Sequence, residues 1–215
     1  MFSSLNLGLF EEGVMDIKQI VTDLTRMEHG FKQIMLAGDE VLGTAGLDHY
    51  LIATGLLTEE GYQARMLGTY MLGLLAPTAR RALTTLRETV VLDVNWRVHE
   101  MLAKAFDYYC AGIGYQDAII DIESWLSDPD PKLNRAVIEG LRIWTGRPYF
   151  KDHPEVAVAM ISVHRAAGSE YLRKSVGNAL RDIRKKHPDL VEQEVAGWNI
   201  SDQKVAFTAS LTRKR

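Results

Sequence analysis

Three segments spaced 39 residues apart place acids, cations and one indole at matching positions. Trp96, Glu100 and Ala103 fall at i, i+4 and i+7 in VNWRVHEMLAKAF (94–106). A shift of 39 residues brings Arg135, Glu139 and Arg142 of LNRAVIEGLRIWT (133–145) to the same positions, and a second brings Lys174, Asn178 and Arg181 of LRKSVGNALRDIR (172–184). On a helix those offsets share one face. Two carboxylates stand in the middle of the face, cations flank them, and a tryptophan sits at one end. Carboxylates can act as bases or stabilise a developing cation. Guanidinium and ammonium groups hold phosphate or carboxylate, and an indole attracts cations. The same residue types also make an ordinary solvated helix face with weak Glu–Arg pairs. Trp96 argues against that reading. A tryptophan off the apolar stripe is costly to expose and covers something, whether a ligand or a neighbouring helix.

The elements that must position this face are legible in the apolar residues. Val94, Leu133 and Leu172 coincide at the same shift, as do Val98, Val137 and Val176, then Leu102, Leu141 and Leu180, then Ala105, Trp144 and Ile183. Within each segment these lie on one helical stripe. The partner segments keep the register more weakly, through Ala118, Ala157 and Ala196 and through Ile122 and Ile161. Polar turns separate the units at SDPDP (127–131) and AAGSE (166–170). A unit of about 40 residues with two helices matches the HEAT/armadillo class. The expected fold is all-α, an α-solenoid of antiparallel helix pairs, curved, with a concave binding groove.

Elsewhere the spacing is helical too, as in Ile17, Ile20, Val21 and Leu24, or Met71, Leu74 and Leu75. Strand signals are nearly missing. Prolines 77, 129, 131, 154 and 188 sit between the stripes, where they start helices or make turns. About ten helices of roughly 10–18 residues follow. The chain reads as a single domain over 1–215, with divergent N-terminal helices over 1–90, three clear repeats over 91–198, and a C-terminal helix or tail over 199–215. Trp125, Trp144 and Trp198 are expected in the packing.

The 215 residues are 47% hydrophobic with a net charge of −3, so a nucleic-acid partner needs a local basic face rather than overall charge. Cys110 stands alone, which excludes an intrachain disulfide and suits a reducing cytoplasm. It reads as a buried, inert thiol. The start, MFSSLNLGLFEEG, lacks a basic region and meets Glu11 and Glu12 early, so it does not read as a secretory signal. No apolar run is long enough to span a bilayer. P-loop, GxSxG and HExxH motifs are missing. Histidines 29, 49, 99, 153, 164 and 187 have no metal-ligand spacing, and neither metal nor cofactor is expected.

NWRVHEMLAKAFDYYC (95–110), NRAVIEGLRIWTGRPYF (134–150) and EYLRKSVGNALRDIRKKHPDLV (170–191) resemble the HEAT-like-repeat DNA alkylation repair proteins, the AlkC/AlkD alkylpurine DNA glycosylase superfamily. The resemblance implies release of cationic N3- and N7-alkylated purines from double-stranded DNA. It puts a tryptophan and a carboxylate one turn apart on the lesion, as Trp96 and Glu100, and an arginine near the backbone, as Arg135. It also puts a second tryptophan where this chain has Asn178, and aspartate where this chain has Glu100. In AlkC-like relatives the VHE of 98–100 and the IEG of 138–140 recur, and carboxylates from more than one repeat face the lesion.

Such a lesion is already a good leaving group, because departure neutralises it. The reaction needs an anion beside the cationic sugar and a positioned water. Glu100 is the first choice for that catalytic role and Glu139 the second. Trp96 and Asn178 would touch lesion or sugar, and Arg135, Arg142, Lys174 and Arg181 would hold phosphates. The alternative is a non-catalytic scaffold that binds DNA or a protein partner through the same face.

Overall fold

The computed structural model describes residues 16–28 and 30–213. The first fifteen residues, with Glu11 and Glu12, and His29 lie outside this range. Among the described residues there are thirteen α-helices, three short 3-10 turns and no strand. The helices are α1 Ile17–Thr25, α2 Phe31–Gly43, α3 His49–Leu56, α4 Tyr62–Leu75, α5 Arg80–Glu88, α6 Trp96–Ile113, α7 Ile119–Leu126, α8 Pro131–Gly140, α9 Pro148–Asp152, α10 Pro154–Ser162, α11 Glu170–Arg184, α12 Pro188–Ala196 and α13 Gln203–Thr212. The excess over ten comes from short helices, α3 and α7 with 8 residues each and α9 with 5, and the 3-10 turns Val90–Leu92, Trp144–Gly146 and Val163–Ala166 stand beside them. No described helix is long and apolar enough to cross a membrane.

Helix starts follow local chemistry. Pro131, Pro154 and Pro188 occupy the first turns of α8, α10 and α12, where the missing N–H costs nothing. Pro77 and Pro129 lie in turns. Asp130, Ser169 and Asp202 cap α8, α11 and α13 through their side-chain oxygens.

The chain divides into two compact units, one up to Ala105 and one from Phe106, with the boundary inside α6. In the first unit α4 is buried nearly all round, through Ala64, Met66, Leu67, Tyr70, Met71 and Leu72. Two of its glycines permit that. A Cβ on Gly68 would lie 2.5 Å from the Ala53 carbonyl oxygen on α3, and one on Gly73 would lie 2.5 Å from the Ala105 Cα. The Met71 stripe expected to include Leu74 turns away from it: Leu74 is exposed while Leu67 and Met71 are buried.

In the second unit the core is aromatic. Phe106 and Trp125 lie with ring centroids 4.3 Å apart, and Trp144 meets Phe150 edge-on at 4.9 Å. Trp144 also donates its Nε1 hydrogen to the Ile138 carbonyl at 3.3 Å. Trp125, Trp144 and Trp198 are all buried, as expected. Asn134 fastens the α7–α8 turn, donating from Nδ2 to the carbonyls of Trp125, Leu126 and Asp128 at 2.9, 2.9 and 3.0 Å. That buried amide fixes how α8 leaves the turn.

The apolar register holds at Val98, Val137 and Val176, at Leu102, Leu141 and Leu180, and at Ala105, Trp144 and Ile183, all buried. It fails at Val94. Leu133 and Leu172 are buried, but Val94 is 95% exposed and precedes its helix, which begins at Trp96. It fails again at Ala196, which is exposed while Val195 is buried. In the middle repeat α8 stops at Gly140, so Trp144 reaches the core from a 3-10 turn rather than from the same helix.

Candidate lesion-facing residues

In the first unit, the start of α6 is built by a chain of caps. Asp93 accepts from the Asn95 N–H at 2.7 Å, and Asn95 accepts from the Arg97 N–H at 2.9 Å. Asp93 is held in turn by Arg65, whose Nε and a terminal nitrogen donate to its two oxygens at 2.6 and 3.3 Å. Burial alone would raise the Asp93 carboxyl. The Arg65 hydrogen bond and charge and the Asn95 N–H outweigh it and hold the group below the ordinary value. The helix therefore starts from a rigid base.

Trp96, the first residue of α6, is 56% exposed. The Arg97 guanidinium lies 4.6 Å from its ring centroid and 5.2 Å from that of Tyr62, so the indole is braced on one side and open on the other. Glu100 follows one turn on and is half-buried. Ala103, expected on the same open face, is buried instead. The face of α6 ends at Glu100 because the next turn enters the core.

In the second unit, Arg135 and Glu139 lie one turn apart on α8, with Arg135 nitrogen and Glu139 Oε1 3.9 Å apart. Two residues of α11 complete the group. Ser175 donates from Oγ to Glu139 Oε1 at 2.6 Å, and Arg135 lies 4.2 Å above the Tyr171 ring. Glu139 Oε2 takes no hydrogen bond from the described residues. Asn178 is half-buried one turn beyond Ser175 on the same side of α11. Tyr171, Ser175 and Asn178 are at i, i+4 and i+7, the spacing that marks the face on the other helices.

Tyr171 and Ser175 were not among the expected site residues. The 39-residue shift matches equivalent positions, Arg135 with Lys174 and Glu139 with Asn178. Packed helices instead join residues from adjoining sides, and Ser175 meets Glu139 across 36 residues. Lys174 points elsewhere and pairs with Glu170 within α11 at 2.9 Å. Arg142 pairs with Asp182 at 3.4 Å, and Lys185 also reaches Asp182 at 2.6 Å. These two cations hold the Asp182 carboxyl below its ordinary value against the opposing effect of burial. Arg181 makes no ion pair among the described residues. Arg142 and Lys174 are exposed, and among the described residues Arg142 pairs with the half-buried Asp182 and Lys174 with the exposed Glu170.

Cys110 is fully buried, and burial together with Asp107 and Asp121 pushes its thiol far up, so it stays protonated and unreactive. Among the described residues no three His, Cys, Asp or Glu side chains come together as metal ligands.

A family model described as DNA alkylation repair enzyme matches residues 38–204. The crystal structure of AlkD2 from Streptococcus mutans is 39% identical, with a TM-score of 0.88 over 92% of this chain and 95% of that one. That of smu.31 from Streptococcus mutans UA159 is 38% identical, with a TM-score of 0.85 over 93% and 98%. The alkylpurine DNA glycosylase AlkC of Pseudomonas fluorescens, solved bound to DNA containing an abasic site analogue, shares the fold at 20% identity. Its TM-score is 0.65, over 91% of this chain and 55% of that one. No protein of curated function matches the chain. With most of its length matched by the family model and two close structural relatives, this all-helical repeat protein belongs to the DNA alkylation repair enzyme family.

Proposed function

We propose that the chain releases cationic N3- and N7-alkylpurines from double-stranded DNA by hydrolysis, with Glu100 as the carboxylate that assists. The observation that carries this reading is the start of α6: an exposed indole, braced by Arg97, with a half-buried carboxylate one turn behind it. A cationic purine is drawn to the indole face. The bond from C1′ to the purine nitrogen breaks and its electron pair neutralises the base. The sugar becomes cationic beside Glu100, whose charge stabilises it. Water adds its oxygen to C1′ and gives its proton to Glu100, which passes it to solvent. The products are a neutral alkylpurine and an abasic sugar.

Glu139 is the second carboxylate in this reading. Ser175 fixes one of its oxygens and leaves Oε2 available, which suits a stationary anion better than a mobile base. Arg142, Lys174 and Arg181 hold backbone phosphates, and Arg135, stacked on Tyr171, orients Glu139 as well. Asn178 favours a second reading, a binding protein without catalysis, because a polar amide stands where the family resemblance puts an aromatic wall. Duplex DNA carrying N7-methylguanine separates the two. Free base that appears with the wild type and fails to appear with Glu100→Gln supports hydrolysis. Salt-sensitive binding without free base supports the scaffold.

A further inference from the structure

Beside Trp96, the segment entering α6 exposes two further apolar side chains, Leu92 and Val94, that neither the fold nor the chemistry above uses. Leu92 is 67% exposed, Val94 95% and Trp96 56%. The residues between them do the opposite. Asp93 turns inward onto Arg65, and Asn95 closes the helix start. Alternation therefore sends every second side chain out, and the buried Arg65–Asp93 pair keeps the segment from folding them away. Three large apolar groups held rigidly in water are ordered in advance for a partner.

We propose that Leu92 and Val94 extend the Trp96 contact into a narrow apolar ridge that lies in the minor groove of the DNA beside the lesion. The inference rests on the reading of Trp96 given above. Two observations select DNA over a protein partner. The ridge is one residue wide and, over the four-residue step from Leu92 to Trp96, at most about 13 Å long. A row of that size falls far short of the roughly 800 Å² per partner that a stable protein interface buries, but it fits a groove about 6 Å wide. Its end is also cationic: Arg97 lies against Trp96, where a flanking phosphate would come. Apolar side chains in a minor groove lie against sugars or wedge between base steps. Leu92 and Val94 would thus open the stack next to the damaged nucleotide and let water reach C1′.

The test is the Leu92→Ser/Val94→Ser double variant. Both positions are exposed, so the fold survives. Binding to duplex DNA containing an abasic analogue is measured at several salt concentrations, with 2-aminopurine fluorescence beside the lesion and with release of N7-methylguanine by the wild type. The ridge predicts a loss of affinity of about tenfold or more with an unchanged salt slope, because apolar contacts release no counterions. It also predicts a smaller rise in 2-aminopurine emission. Equal affinity and emission in variant and wild type overturn the ridge. So does a wild type that is dimeric by sedimentation while the variant is monomeric. Ridge-dependent binding without base release leaves the ridge standing and removes the hydrolytic reading. Base release with no effect of the variant does the reverse. A wild type that binds no DNA removes both.

Discussion

Ser175 on α11 donates a 2.6 Å hydrogen bond to Glu139 on α8, and the hydroxyl that makes it is only 3% exposed as a residue. A buried donor to a carboxylate is worth more than an ordinary hydrogen bond. Ser175→Ala is expected to cost about 1.5–3 kcal/mol in urea unfolding. Glu139→Gln keeps an acceptor for the same hydroxyl and is expected to cost less than Ser175→Ala. Equal losses for the two would show that charge, not the hydroxyl, holds α8 to α11.

The Arg65–Asp93 pair anchors the entry to α6, with both side chains largely buried. Arg65→Ala leaves the carboxylate without its cation and is expected to cost about 3 kcal/mol or more. The carboxyl lies below the ordinary 3.8 in the folded protein. Its contribution is therefore full above that pH and is lost as pH falls through 3.8 toward the lower folded value. Thermal melts of the wild type and Asp93→Asn should differ at pH 7 and converge in acid.

His164 gives a second handle of the same sign, nearer neutrality. Burial lowers its titration below 6.5, while a hydrogen bond to the Leu126 backbone opposes that shift. Its other ring nitrogen, Nε2, is buried without a partner, so protonation would place an unsatisfied N–H there. The neutral ring belongs to the fold. Stability is full above 6.5 and falls as pH drops through that value. Melting temperatures from pH 8 to 5 should fall more steeply for the wild type than for His164→Gln; parallel curves would assign the slope to other groups.

Backbone contacts in the first unit can be probed at glycines. A Cβ at Gly73 would meet the Ala105 backbone at 2.5 Å, whereas one at Gly55 meets nothing within 4 Å. Gly73→Ala is expected to destabilise by about 1–3 kcal/mol. Gly55→Ala, in α3, is expected to be neutral or to stabilise by up to about 1 kcal/mol. Denaturant midpoints compare the two directly.

The repeat and its helices were legible in the sequence because burial repeats with the period. Val98, Val137 and Val176 are all buried, as are Leu102, Leu141 and Leu180. Val94 broke the pattern because a cap overrode it. Asn95 closes the helix and leaves the valine outside, and spacing alone carries no sign of that. Ala103 misled for a related reason. Alanine fits core and surface equally, so the face could not be seen to end at Glu100. Tyr171 and Ser175 escaped notice although both stand in YLRKSVGN. A repeat shift finds equivalent residues, while Glu139 chooses its partner by how α8 and α11 pack. The exposure of Trp96 was readable, since a tryptophan outside the apolar stripe has no place in the packing.

In the hydrolytic reading Glu100 assists the departure of a cationic purine. The decisive measurement is single-turnover release of N7-methylguanine from duplex DNA, compared between the wild type and Glu100→Gln at matched DNA occupancy. A fall of about a hundredfold or more in the variant, with binding retained, is the result expected for a carboxylate that acts on the sugar and water. Release at the same rate from both proteins, or from neither, would contradict it.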